Sequence, residues 1–311
     1  MMEKLKERVA FMALVAMTLI ASQAAAFAAG ASLAVKDDLG REVTIPENPQ
    51  RVLALTSAAM QAVVNSGAMP VGKVEDYRIS EKGMALPSVG RADSINIEAV
   101  YALKPDLIVA SSRFHAALKE ELIRTGAVVF FFDPDAVGEI PLVELTGYVG
   151  HLIGRDKEAN AYMDMVFDRA AALKKKVANG AGVKTGVVLQ AGSGVKAAQS
   201  ASSFGSMLTL LGIENVVPAN LPNAKKASFV SFDVEAVLAA DPDLVFIVTN
   251  SKDRKENQRI LRQFKADVKW QTLGAVKNGR VLILPFAVNP NRSAAEVMLE
   301  KTAEAILENA K

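Results

Sequence analysis

Side chains able to do chemistry are few in this 311-residue chain, and they are unevenly placed. It has no Cys, and its two His stand at 115 and 151. Without a thiol or a G-x-S-x-G elbow, neither common nucleophile arrangement can be assembled, so no catalytic residue is expected. A bare transition-metal ion needs about four side-chain ligands, which two His without Cys do not supply, so no metal site is expected either. Cations, rings and small polar groups do occur in short segments just after apolar runs. Thr56 and Ser57 follow 52–55, and Tyr77 and Arg78 follow 71–74. Arg113, Phe114 and His115 follow 107–110, and Asn289 and Arg292 follow 281–284. Guanidinium groups bond carboxylate-like oxygens two at a time, and rings stack on flat ligands. That is the chemistry of holding an anionic molecule. Ala191-Gly192-Ser193-Gly194 also follows an apolar run, but lacks the Lys and the spacing of a phosphate-cradling loop.

These segments must be positioned by the runs they follow. Further strand-like runs lie at 128–132, 187–189 and 244–248, and helical patterns lie between them at 58–66, 97–103, 116–125, 206–211, 234–239 and 257–264. Continuous apolar strands alternating with helices argue for parallel sheets covered on both faces. The segment 94–110 returns at 231–247 with eight identities in seventeen positions, including Glu98/Glu235, Pro105/Pro242 and Asp106/Asp243. A spacing this long is no solenoid period and points to two similar lobes. Two lobes on one chain enclose a cleft, the usual place for a small ligand. From 138 to 177 no strand signal appears. Over 156–177 apolar residues recur at Ala159, Tyr162, Met163, Val166, Ala170 and Leu173, which predicts one helix of ~33 Å. The expected fold is α/β, with two doubly wound α/β lobes joined by a single long α-helix and the ligand cleft between the lobes.

The first 28 residues have a charged start, an apolar run over 9–20 and an Ala26-Phe27-Ala28 cleavage pattern, the layout of a secretory signal peptide. The expected divisions are a leader at 1–28, an N-terminal lobe at 29–140, a connecting region at 141–180 and a C-terminal lobe at 181–311. With no Cys to carry a lipid, a free periplasmic protein is expected. Removing the leader leaves 33 basic and 32 acidic side chains, so nucleic acid is not an expected partner. A monomer is expected.

DLGREVTIPENPQRV at 38–52, LPSVG at 86–90, NIEAVYALKPDLIV at 96–109, SFGSMLTLLGIENV at 203–216 and WQTLGAVKNGRV at 270–281 together resemble the helical-backbone (class III) periplasmic substrate-binding proteins of ABC importers. The resemblance covers nearly the whole chain after the leader. It implies capture of an iron-siderophore chelate, haem or cobalamin, no intrinsic cofactor, and delivery to an inner-membrane ABC permease with its ATPase. A periplasmic sensor binding the same ligands is the alternative. The family's cleft is lined by loops at the carboxyl ends of the strands, as in open α/β sheets generally. The resemblance therefore implies roles for the residues above. Arg113 and Arg292, one from each lobe, would meet anionic oxygens, with Arg78 a third cation. Thr56, Ser57 and Asn289 would line the site. For haem, Tyr77 falls where haem carriers place an axial ligand, though Arg78 follows it where Pro is common. His115 would be a second haem ligand, or would stack with Phe114. Cobalamin would use aromatic walls. Permease docking would fall to Glu120 or Glu121 in one lobe and Asp253 or Glu256 in the other.

Overall fold

The computed structural model describes residues 32–133, 137–192, 194–219, 221, 228–249, 251–284, 288 and 293–309. The expected leader and the candidate residues Asn289 and Arg292 lie outside them.

The N-terminal lobe opens with the antiparallel hairpin β1 (Leu33–Lys36) and β2 (Glu42–Ile45). Its turn is closed by Asp37, which accepts from the Leu39 and Arg41 amides and pairs with the Arg41 guanidinium at 2.6 Å. Next come β3 (Val52–Ala54), α1 (Ser57–Asn65), α2 (Glu81–Met84), the short pair β4 (Gly90–Arg91) and β5 (Ser94–Ile95), α3 (Ile97–Leu103), β6 (Leu107–Ser111), α4 (Ser112–His115), α5 (Lys119–Ile123) and β7 (Val128–Phe132). The core of the lobe is the parallel sheet β3-β6-β7, in which β6 is buried along its full length. The run 71–74 forms no strand. The Val71 amide donates to Val52, while Lys73 exchanges bonds with Pro87 and Val89. With Gly72 inside the run and Pro70 before it, pairing changes partner after one bond and no ladder grows.

The connecting region holds two helices, α6 (Pro141–Leu152) and α7 (Asp156–Gly180). The 25 residues of α7 span about 38 Å and fit the predicted rod. The first helix, α6, is buried on both sides: Leu145 and Val149 join the N-terminal core, and Val143 joins the C-terminal one. It meets α7 at glycines. A Cβ added at Gly150 would stand 2.3 Å from the Ala159 Cβ, and one at Gly147 would stand 2.8 Å from the Met163 sulfur.

The C-terminal lobe contains β8 (Thr185–Gln190), β9 (Lys196–Ala198), α8 (Ser203–Leu210), β10 (Glu214–Asn215), β11 (Phe229–Ser231), α9 (Val234–Ala240), β12 (Leu244–Val248), α10 (Arg254–Ala266), α11 (Gly274–Lys277), β13 (Val281–Leu284) and α12 (Ala295–Glu308). Its sheet runs β11-β9-β8-β12-β13, with β8, β12 and β13 parallel and β10 beside β8. One face packs on α7, α8 and α12, and the other on residues of α9, α10 and α11 around Trp270. The covered two-faced sheet is the expected α/β class.

The repeated segments do the same work in both lobes. Helices α3 and α9 both end at a left-handed residue, Lys104 (φ 47°) and Asp241 (φ 39°), before the Pro-Asp turn into β6 or β12. The turn aspartates then bond the neighbouring strand. Asp106 accepts from the amides of Gln50 (2.7 Å) and Arg51 (3.0 Å) at the entry to β3. Asp243 accepts from the amides of Lys184 (2.8 Å) and Thr185 (3.0 Å) at the entry to β8. Partial burial pushes the Asp243 pKa up, but the Lys184 and Thr185 amides outweigh it and hold the carboxyl below its ordinary value. Both clamps sit at the amino ends of the strands, away from the loops at their carboxyl ends.

Candidate functional site

In the N-terminal lobe the side chains of interest gather where β3, β6 and β7 end. The first helix starts directly after β3, and Thr56 caps it by accepting from the Ala59 amide at 3.2 Å. Thr56 and Ser57 are both buried, so they shape the floor, and the Thr56 hydroxyl is committed to the cap. After β6 the chain turns helical at once. The Ser111 hydroxyl caps α4 by accepting from the Arg113 amide at 3.2 Å. Each helical residue rotates ~100° about the axis, so the three residues that follow leave in different directions. Phe114 stands 52% exposed, whereas His115 is 1% exposed.

Arg113 is held by a carboxylate at the end of β7: its Nη2 lies 3.0 and 3.2 Å from the two oxygens of Asp133. The Asp133 amide in turn donates to Asp38 Oδ2 at 2.5 Å, tying in the β1–β2 turn. Burial raises the Asp38 pKa despite that bond, and the Asp133 and Asp37 charges add to the rise. Nearby, burial together with Asp38 and Asp37 pushes the Tyr148 phenol up to about 12. Its ring packs 5.6 Å from that of Phe132, beneath the end of β7. The lip of this lobe is thus a fixed guanidinium beside an exposed ring, braced by two carboxylates. Asp38 and Tyr148 were not legible as part of it. The Asp38 segment reads as a plain turn, and nothing in the spacing of Tyr148 ties it to β7.

Two expectations are corrected. Tyr77 does not face a ligand: it is 0% exposed, and its hydroxyl donates to Gln61 Oε1 at 2.5 Å and lies 2.9 Å from Ser80 Oγ. Burial raises its pKa and so opposes the tyrosinate that a ferric haem takes as ligand. Gly83 packs so close that a Cβ there would stand 2.4 Å from the Tyr77 ring. His115 is likewise a structural group. Its Nδ1 accepts from the Ser111 amide at 2.9 Å, which leaves the proton on Nε2 to donate to the Ala92 carbonyl at 2.7 Å. Arg78, though exposed, folds its Nη1 back onto the carbonyls of Glu75 and Tyr77.

The His115 bonds carry a pH prediction. Burial lowers the pKa of this imidazole below its ordinary value of about 6.5, while the unfolded chain titrates normally. Its contribution is complete above about pH 6.5 and is lost as pH falls through the folded-state value, with a slope of at most about 1.4 kcal/mol per pH unit for one proton. Urea unfolding between pH 7.5 and 5 should lose stability more steeply in the wild-type protein than in His115→Gln. Equal slopes would remove His115 as the cause.

On the C-terminal side the loop after β12 is tied to the next helix. Thr249 Oγ1 donates to Asn257 Oδ1 at 2.5 Å, and Asn257 Nδ2 donates to the Ser251 carbonyl at 3.1 Å. Three of the four docking candidates are engaged locally. Glu120 pairs with Lys119 at 3.0 Å, and Glu121 shares the first turn of α5. Asp253 caps α10, and Glu256 is pulled below its ordinary pKa by the Arg259 guanidinium at 2.5 Å. Among the described residues no group of three or more His, Asp or Glu could hold a metal ion.

This architecture has many counterparts. The chain is 28% identical over 258 residues to the probable siderophore-binding lipoprotein YfiY of Bacillus subtilis, covering 79% of this chain and 78% of that protein. It is 25% identical over 257 residues to the Fe(3+) dicitrate-binding periplasmic protein FecB of Escherichia coli, covering 79% and 80%. The crystal structure of Staphylococcus aureus SirA complexed with staphyloferrin B shares the fold at a TM-score of 0.66 and 23% identity, over 89% of this chain and 98% of that one. A family model described as a periplasmic binding protein matches residues 50–288, and the chain belongs to that family.

Proposed function

We propose that this protein captures a ferric siderophore between its lobes and delivers it to an ABC permease and its ATPase. The carrying observation is the Arg113–Asp133 pair beside exposed Phe114 at the carboxyl ends of β6 and β7. A ferric siderophore arrives fully coordinated and usually anionic, so its carrier needs fixed cations and rings, not metal ligands. Asp133 holds the guanidinium in place before the ligand arrives, which reduces the ordering cost of binding. Relatives named for siderophore and ferric dicitrate binding support this class. The burial of Tyr77 favours the siderophore reading over haem, for which that tyrosine would be the axial ligand. Some relatives are named lipoproteins. The absence of Cys from this sequence leaves no thiol for a lipid thioether, which supports a free periplasmic form.

The test is binding to ferric trihydroxamate, ferric catecholate, ferric citrate, haem and cobalamin, followed by calorimetry and melting temperature. A ferric siderophore or ferric citrate is expected to bind and raise the melting temperature. Arg113→Ala should then weaken that chelate by about 1.5–3 kcal/mol, the worth of a hydrogen bond to a charged group, or roughly tenfold to over a hundredfold. Haem or cobalamin as the sole ligand would overturn the siderophore assignment. An unchanged affinity in Arg113→Ala would overturn the role of this lip.

A further inference from the structure

A groove of about 610 Å³, within the size range of ligand pockets, lies beside α10 in the C-terminal lobe. Its apolar lining includes Leu189, Val195, Ile247, Ile260, Phe264 and Trp270. The helix α10 covers this part of the sheet only in part: Ile260, Leu261 and Phe264 pack against the core without being fully buried, and Phe264 stacks on Trp270 with ring centroids 4.9 Å apart. A helix on an α/β sheet normally buries such a stripe completely.

Two observations say what fits. First, the lining is apolar at Leu189, Val195, Ile247 and Ile260, and the charged lining residues bond one another, Arg259 to Glu256 at 2.5 Å and Lys269 to Asp267 at 2.9 Å. The apolar lining selects an apolar group. Second, the groove begins at Gln190 and Gly192, at the carboxyl end of β8, beside the Thr249–Ser251 loop that Asn257 holds. There is open space at Gly192 and at Gly194, where an added Cβ would meet nothing within 4 Å.

We propose that this groove extends the ligand site and takes the apolar tail, an acyl chain or aromatic arm, of an amphiphilic ferric chelate whose charged head sits at the cleft. This rests on the ferric-chelate reading above. Along α10 the groove runs from Glu256 to Phe264, about 12 Å at the helical rise, enough for an extended medium-length chain.

The test uses matched chelates. Ferric trihydroxamate, ferric catecholate and ferric citrate heads are each compared with the same head carrying an octanoyl amide, by calorimetry on the full protein. For the head that binds, the tailed form is expected to bind at least tenfold more tightly. Val195→Phe and Ile260→Phe, which fill the groove, should each abolish that gain while leaving the untailed head's affinity unchanged, which also reports that both variants are folded. Equal affinity of tailed and untailed forms in the wild-type protein overturns the groove assignment and leaves the ferric-chelate reading standing. So does a gain that survives in both variants. If no head binds, with or without its tail, the ferric-chelate reading falls and this inference falls with it.

Discussion

Replacing Gly205 by Ala is expected to destabilise the protein by about 3 kcal/mol, the upper part of the usual range for overpacking. Gly205 is the third residue of α8, and its amide is bound by the capping Ser202 hydroxyl at 3.0 Å, which itself donates to the Gln199 carbonyl at 2.7 Å. A Cβ at 205 would stand 2.0 Å from that carbonyl oxygen and 2.8 Å from the Ser200 Cα. Both obstacles are backbone, so no side chain can swing away. Relief requires moving the 199–202 turn, which breaks the cap, or lifting α8, which uncovers Met207, Leu208 and Leu210 from the core. At about 2–4 °C per kcal/mol for a unit of this size, the melting temperature should fall by roughly 10 °C. Ser203→Ala, one turn position away, should stay within about 0.5 kcal/mol. A loss below 1 kcal/mol for Gly205→Ala would mean that the turn relaxes freely.

The same glycine lies in a stretch that is legible from sequence as scaffold, and the scaffold was the legible part. Apolar runs with turn residues between them locate β6, β7, β8, β12 and β13, because a strand buried on both faces needs uninterrupted apolar side chains. The spacing of Ala159, Val166, Ala170 and Leu173 locates α7 for the converse reason, since one buried stripe implies one face turned to water. The preceding helix α6 escapes this logic: it is buried on two sides, so its apolar residues show no single stripe, and its glycines read as breakers although they are contact points.

The site was legible only to the level of loops. That cations and rings follow β6 is plain in the sequence, but which of them face outward depends on how soon the chain becomes helical. The helix begins at Ser112, so Phe114 is presented and His115 is turned into the wall, although they are adjacent. Tyr77 shows the same limit more sharply. Position after an apolar run suggested a ligand, but the run makes no strand and Gly83 folds over the ring. The groove beside α10 had no signature at all, because it depends on how completely a helix covers a sheet, which no residue pattern encodes.

Removing both repeated aspartates should bring the protein close to unfolding. Each single change, Asp106→Ala or Asp243→Ala, takes a charged acceptor from two backbone amides at the entry to a core strand. Hydrogen bonds to charged groups are worth about 1.5–3 kcal/mol, and part of that is recovered by water at these edges, so about 2–3 kcal/mol per site is expected. The two clamps lie in separate sheets and share no partner, so their costs should add to about 5 kcal/mol. That compares with a total of about 5–15 kcal/mol for a typical domain. Urea unfolding of the two single variants and the double checks this directly, and a double variant much less damaged than the sum would show that the lobes are coupled through α6 and α7. Acid gives an independent reading for Asp243. Its folded pKa is depressed, so its share of stability is present above the ordinary carboxylate value of about 3.9 and is lost as pH falls through the folded value. Asp243→Ala should therefore flatten the acid limb of the stability curve. Because both clamps sit at the amino ends of the strands, chelate affinity of whatever fraction remains folded should not change. The repeat recurs because in each lobe a parallel strand pair needs its inner strand tied to its neighbour, β6 to β3 and β12 to β8, and the residues proposed to select a ligand begin where the repeat stops.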